Sequence, residues 1–271
     1  MPGSGHSGVT VAGRGNLGRS LARVLGARLV PARVGFRLPQ TGILILAVPD
    51  SAVRAMASRI AAMQPPRELA VVHCSGALGL DALSALSENP RGSFHPLQSF
   101  PAPRDREAFV GVTIAVDATT PDLLRRLREL ARQLAAKPRR VRDAERVLYH
   151  AAAVFASNYV IASVAEGVRV LEAAGWKRHE AERALLPLVE GVVANLRRSG
   201  ITRALTGPIR RGDAETVARH LAELEDVQLY RMLGLVALRI AIEAGLDPAA
   251  AERTRRALTR NVAATQRRGR R

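Results

Sequence analysis

Cysteine is nearly missing from this chain: Cys74 is the only one among 271 residues. That excludes an intrachain disulfide and a cysteine-rich metal centre, and it fits a reducing, cytoplasmic setting. Aromatic residues make up only 3%, so a core must be built from Ala, Val, Leu and Ile. Lysine is almost absent too, with Lys137 and Lys177 the only two, and the net charge of +17 rests on arginine. Arginine in place of lysine, with abundant alanine, is what a GC-rich coding sequence produces. Arginines scattered over helix faces with few aromatics between them do not make a base-stacking surface, so no specific nucleic-acid partner is expected. The opening MPGSGHSG lacks the apolar run of a secretory leader. No uninterrupted apolar stretch approaches the ~20 residues of a membrane helix, so no membrane partner is expected. No metal-ligand spacing is visible.

What is present is a glycine motif in the right surroundings. Val9 and Val11 lie on a short apolar run that leads into Gly13-Arg14-Gly15-Asn16-Leu17-Gly18. The spacing predicts a helix from Asn16 to Gly26, with Leu17, Leu21, Val24 and Leu25 on its apolar side. This is the G-x-G-x-x-G dinucleotide fingerprint with a strand before it and a helix after it. The first glycine allows the tight turn, the second the approach of a pyrophosphate, and the third close packing of helix on sheet. Helix N-termini also favour phosphate through free N–H groups and the dipole.

Further along, Arg28 to Val34 reads as a second strand. An acid at its end, about 20 residues past the fingerprint, would bind the ribose of NAD. None occurs from Gly13 to Gln40; Arg28, Arg33 and Arg37 stand there instead. The cofactor expected is therefore NADP, with NAD possible, and Arg33 is the first choice for the 2′-phosphate. Thr41 to Pro49 is a continuous apolar strand that ends in Val48-Pro49-Asp50, at the carboxyl edge of the sheet where doubly wound folds bind ligands. Strands follow at Glu68–His73, Gly111–Val116 and Lys137–Val141, Arg91–Phe100 reads as a brief strand followed by a loop carrying His95-Pro96, and helices are expected at Ser51–Met63 and Pro121–Ala136. From Asp143 the strand signals stop. A single mostly apolar helix is expected over Asp143–Ala174, a second over Lys177–Ser199 interrupted by Pro187, and a loop over Ile201–Asp213. Further helices follow to Arg260. The fold class is an α/β Rossmann-like doubly wound parallel sheet (1–142), then an all-α domain for substrate and dimerisation (143–260), then a basic disordered tail (261–271).

The motifs AVPDSAV, VHCSGAL, SFHPLQSF, YHAAAVFASNYV and TGPIRRGDAETVARHL follow the fingerprint in that order. Together they resemble NADP-dependent oxidoreductases of the 6-phosphogluconate-dehydrogenase-like class. That class includes relatives of ketopantoate reductase, pyrroline-5-carboxylate reductase and prephenate dehydrogenase. The resemblance implies reduction of a small carboxylated keto or imino substrate, with Val48-Pro49-Asp50 on the loop beside the cofactor; the long apolar helix is expected to form the hub of the second domain and of a homodimer. In such reductases a lysine stands near the start of the long helix. Lys137 and Lys177 both fall outside it, and His150 lies nearest that position. The missing lysine motivates a second reading, a non-catalytic NADP-binding sensor or scaffold. Less favoured is a prephenate-dehydrogenase-like activity, suggested by His95-Pro96.

Hydride transfer needs a proton donor and an oriented substrate beside the cofactor. His95 and His150 are the donor candidates. Asn158, two helical turns beyond His150, would orient the substrate, and Ser75 could offer a hydroxyl to a carbonyl oxygen. Arg211 could clamp a carboxylate, with Thr216 close behind it.

Overall fold

The computed structural model describes residues 8–32 and 36–260. Two compact units divide between Val160 and Ile161. The first is built on seven strands: β1 (Val9–Ala12), β2 (Arg28–Val30), β3 (Ile43–Leu46), β4 (Ala70–His73), β5 (Arg91–Pro96), β6 (Thr113–Ala118) and β7 (Lys137–Arg140). Their order in the sheet is β2-β1-β3-β4-β5-β6-β7. All neighbours run parallel except β5 and β6. The chain steps to one side of β1 for β2 and to the other for β3. That reversal marks a crevice at the carboxyl edge where doubly wound sheets bind ligands.

The apolar run predicted to be a two-sided strand is one. Ile43 and Ile45 enter one core with Phe94, Ile114 and Leu127. Leu44 and Leu46 enter the opposite core with Val53, Met56 and Ile60. Successive side chains alternate faces, so burial of both sets requires helices on both sides. These are α1 (Asn16–Leu25), α2 (Asp50–Ala62) and α3 (Pro121–Gln133). At the sheet edge β7 carries Pro138 and two arginines, which discourages pairing with another chain. Arg140 also bonds the buried Asp117 at 2.8 Å. The second strand is shorter than predicted, and none of the described residues between β2 and β3 is helical.

Three helical expectations are corrected. The predicted continuous helix over 143–174 is two helices, α4 (Asp143–Ala156) and α5 (Asn158–Ala173). Ser157 between them leaves helical geometry (φ −126°, ψ −71°), and its hydroxyl lies 2.8 Å from the Ala153 carbonyl. A serine bonding back to the preceding turn bends a helix in this way. The next helix, α6 (Arg178–Ala204), runs through Pro187 and turns instead at Gly200, where φ is +73°. The expected loop over 201–213 contains a short helix, α7 (Gly207–Arg211), which is closed by Gly212 in the left-handed region. One described stretch, Asp143–Ala173, has the length and mean hydropathy (1.4) to cross a membrane; its first turns are tied to the sheet by Arg146, described below.

In the second unit α8 (Ala214–Glu223), α9 (Gln228–Glu243) and α10 (Pro248–Thr259) pack around Val217, Leu221, Leu238, Ala251 and Leu258. A Cβ at Gly234 would lie 2.6 Å from Leu258, so only glycine lets α9 approach α10 this closely. Outside this small core, α5, α6 and α9 expose Ile161, Leu186, Leu188, Val192 and Met232.

Candidate functional site

The glycine loop has the geometry its spacing implies. Gly13 has φ +127°, and a Cβ there would lie 2.1 Å from the Ala47 carbonyl oxygen. At Gly18 a Cβ would lie 2.1 Å from the Gly13 oxygen. Both glycines thus let backbone meet backbone. Gly15 differs: a Cβ there would meet nothing within 4 Å, so the space over it is open to a ligand. The α1 helix starts with no side-chain cap and no acid in its first turn, which leaves its N–H groups and positive dipole end for an anion. Arg14 is exposed beside it, Asn16 bonds the Phe100 carbonyl at 3.0 Å, and Leu17 packs on the core. Beyond β3, Val48 is half-buried while Pro49 and Asp50 are exposed at the start of α2. Of the arginines expected at the ribose, Arg28 and Arg37 are exposed; Arg33 lies outside the described residues, as does the 261–271 tail.

At the exit of β4 a buried polar frame holds the next loop. The Ser75 N–H donates to His73 Nδ1 at 3.2 Å, and His73 Nε2 donates to the Gly79 carbonyl, also at 3.2 Å. These partners fix a neutral ring. Burial, reinforced by the nearby Arg146 cation, lowers the His73 pKa to about 4. The Ser75 oxygen accepts from the N–H groups of Ala77 (3.2 Å) and Leu78 (3.0 Å). Arg146, only 1% exposed, reaches from α4 to the Ser75 carbonyl (3.4 Å), to the Ser93 hydroxyl and to Asp143 (3.4 Å). Asp143 in turn accepts from the Leu80 N–H at 3.0 and 3.1 Å. One guanidinium therefore ties together β5, α4 and the loop after β4. Burial pushes the Cys74 thiol up to about 12, which makes it an inert core residue.

This frame presents three rings. His95 and Pro96, expected on a loop, lie instead within β5, paired with Ala115 and Ile114 of β6. The Nδ1 of His95 lies 2.8 Å from the Tyr149 hydroxyl, and the rings meet edge to face at 5.6 Å. A Cβ on Gly76 would lie 2.9 Å from His95 Nε2 and 3.0 Å from His150 Cδ2. Gly76 thus leaves room for both histidines. Burial lowers the His95 pKa to about 4, helped by His150 and Arg146 and opposed by Asp50. Of the sequence-predicted residues, Ser75, His95 and His150 gather here.

Asn158 is exposed past the Ser157 break, with its Oδ1 2.9 Å from the Ser157 hydroxyl. Arg211 and Thr216 belong to the second unit, Arg211 exposed at the end of α7. The Thr216 N–H donates to Asp213 at 3.0 Å as a helix cap, and this bond holds the Asp213 carboxyl below its usual range. Arg146, Tyr149 and Asp143 escaped the sequence reading. In so arginine-rich a chain Arg146 reads as one more solvated charge, and Tyr149 carries no motif beyond its place before His150.

Residues 112–237 match the family model of a domain of unknown function, DUF2520. No curated protein matches the chain by sequence. Among solved structures, protein TM1727 from Thermotoga maritima is 22% identical with a TM-score of 0.71, covering 87% of this chain and 98% of that one. The 1-pyrroline-5-carboxylate reductase of Streptococcus pyogenes is 13% identical with a TM-score of 0.58, over 87% and 97%. Pyrroline carboxylate reductase from Plasmodium falciparum, solved with NADP bound, is 12% identical with a TM-score of 0.56, over 93% and 99%. The family resemblance drawn from the motifs fits these findings. The chain has the Rossmann-like α/β sheet followed by a helical C-terminal region.

Proposed function

We propose that the protein is an NADP-dependent oxidoreductase that reduces a small carboxylated keto or imino substrate, in the manner of a ketopantoate reductase. The observation that carries this reading is a pairing at the carboxyl edge of the sheet. Open space over Gly15 at an uncapped helix N-terminus stands with a half-buried cluster of His95, Tyr149 and His150 around Gly76. The bound nicotinamide would supply the hydride. Gly13, Arg14, Gly15, Asn16, Leu17 and Gly18 would hold the pyrophosphate, and Val48, Pro49 and Asp50 would flank the cofactor. Arg33 would meet the 2′-phosphate, with NAD the alternative. The structures of similar fold whose names are reductases, one of them solved with NADP, support the same assignment.

In this proposal His95 and His150 act on the reacting group, with Ser75 shaping the loop beneath them and Asn158 orienting the substrate. Arg211 and Thr216 would bind its carboxylate. The enzyme would work as a cytoplasmic homodimer. The apolar side chains that α5 and α6 leave exposed support a second copy as partner. The test is direct. NADPH should quench or enhance fluorescence on titration at micromolar to submillimolar concentration, and ketopantoate or another 2-keto acid should then drive its oxidation. Absence of binding to either NADPH or NADH at millimolar concentration would overturn the proposal.

A further inference from the structure

Resting on the reductase reading, we infer that Tyr149 is a positioning residue. Its hydroxyl donates to Nδ1 of His95 and so holds the neutral ring with its proton on Nε2, a hydrogen-bond donor for a substrate oxygen beside Gly76.

Three observations converge. The Tyr149 oxygen lies 2.8 Å from His95 Nδ1. The rings are set nearly perpendicular, at 87°, so the tyrosine ring edge braces the imidazole as well as bonding it. The other nitrogen, Nε2, lies against Gly76 and has no hydrogen-bond partner among the described residues. A phenol O–H is a better donor than a neutral imidazole N–H, and an imidazole lone pair a better acceptor than a phenol oxygen. The shared proton therefore stays on Tyr149, and the ring proton is displaced to Nε2.

The surrounding charges agree. Burial most of all, then His150 and Arg146, both on α4, disfavour an imidazolium at His95, and Asp50 at the start of α2 alone favours it. Burial likewise raises the Tyr149 pKa to about 12, so both partners are neutral near pH 7. A substrate oxygen that gains negative charge on hydride addition would take the Nε2 proton. The ring would recover one at Nδ1 from Tyr149, and as water protonated Nε2 the phenolate would take the Nδ1 proton back, which restores the Nε2–H ring.

Long-range proton–nitrogen NMR on histidine-labelled protein without ligand tests this apart from turnover. Between about pH 5 and 8, His95 should show a protonated Nε2 and an unprotonated Nδ1. In Tyr149→Phe, shown to be folded by its thermal melt, part of the population should move to the Nδ1–H form. A wild-type ring protonated on Nδ1, or a tautomer that Tyr149→Phe leaves unchanged, overturns the inference. With a keto acid that the wild type turns over, Tyr149→Phe should lower kcat by about 30-fold or more while KM moves by less than about threefold. An unchanged kcat also overturns it. Failure of the wild type to turn over any keto acid would count against the reductase reading, and the NMR result would still decide the role of Tyr149.

Discussion

In the first unit β1, β3 and β4 are buried along their whole length, with helical cover on both faces. In the second, α8 to α10 close a small core, while α6 leaves Leu186 53% exposed and Leu188 66% exposed. The same alanine- and leucine-rich composition thus has two outcomes. The sheet and the helices that cover it place their apolar surface within one chain, although α4, at the end of the same unit, exposes Val147, Leu148 and Phe155. The helical unit keeps a large apolar surface free, which at roughly 25 cal/mol per Å² is a strong drive towards association. Stability of the sheet core should then be an intramolecular property, and that of the helical unit a concentration-dependent one.

The sharpest way to break the first half of that contrast is Arg146→Ala. It leaves Ser93 and the Ser75 carbonyl without their buried partner and opens a cavity, so the loss should be about 3–5 kcal/mol in chemical denaturation. Acid should act on the same frame. His73 is fully buried with a pKa of about 4 against an unfolded value near 6.5. The unfolded chain binds the extra proton in that window. Stability is therefore complete above about pH 6.5 and falls towards pH 4, by roughly 3 kcal/mol from His73. Urea titrations at neutral pH and at the acid end of the window would show it, and a flat response would exclude a neutral buried His73.

For the helical unit, Leu186→Glu with Leu188→Glu should weaken self-association by about 100-fold or more in sedimentation experiments while leaving the sheet unit's far-UV signal intact. A monomeric wild type would remove the contrast altogether. The mildest change separates binding from folding within the glycine loop. Gly15→Ala meets open space and should alter stability by less than about 0.5 kcal/mol while weakening NADPH binding about tenfold. Gly13→Ala, which collides with the Ala47 backbone, should destabilise the fold itself.

These differences also explain what could be read in advance. The strands and the glycine loop were legible because they follow local rules: alternation, apolar runs and fixed glycine offsets. The break at Ser157 was not, because a serine inside an apolar helical pattern has no obligatory effect; only its back-bond to Ala153 makes it a bend. His95 was marked by its own chemistry in SFHP. Its partner Tyr149 lies 54 residues away, and no periodicity joins them. Arg146 was hidden by abundance, since a buried guanidinium and the many solvated ones look alike until the contacts are seen.

The Arg146 bonds carry a consequence for how the molecule becomes active. They join positions 71 and 53 residues apart in sequence, so they close only after the sheet, the loop after β4 and α4 have all come together. The glycine loop needs little more than β1, α1 and β3, which are near neighbours in the chain. Contacts that span long loops cost more chain entropy and tend to form late. A chain caught part-way through folding would therefore possess a phosphate cradle before it possessed an ordered His95. On the proposed reading, the capacity to hold a nucleotide would precede the capacity to use it.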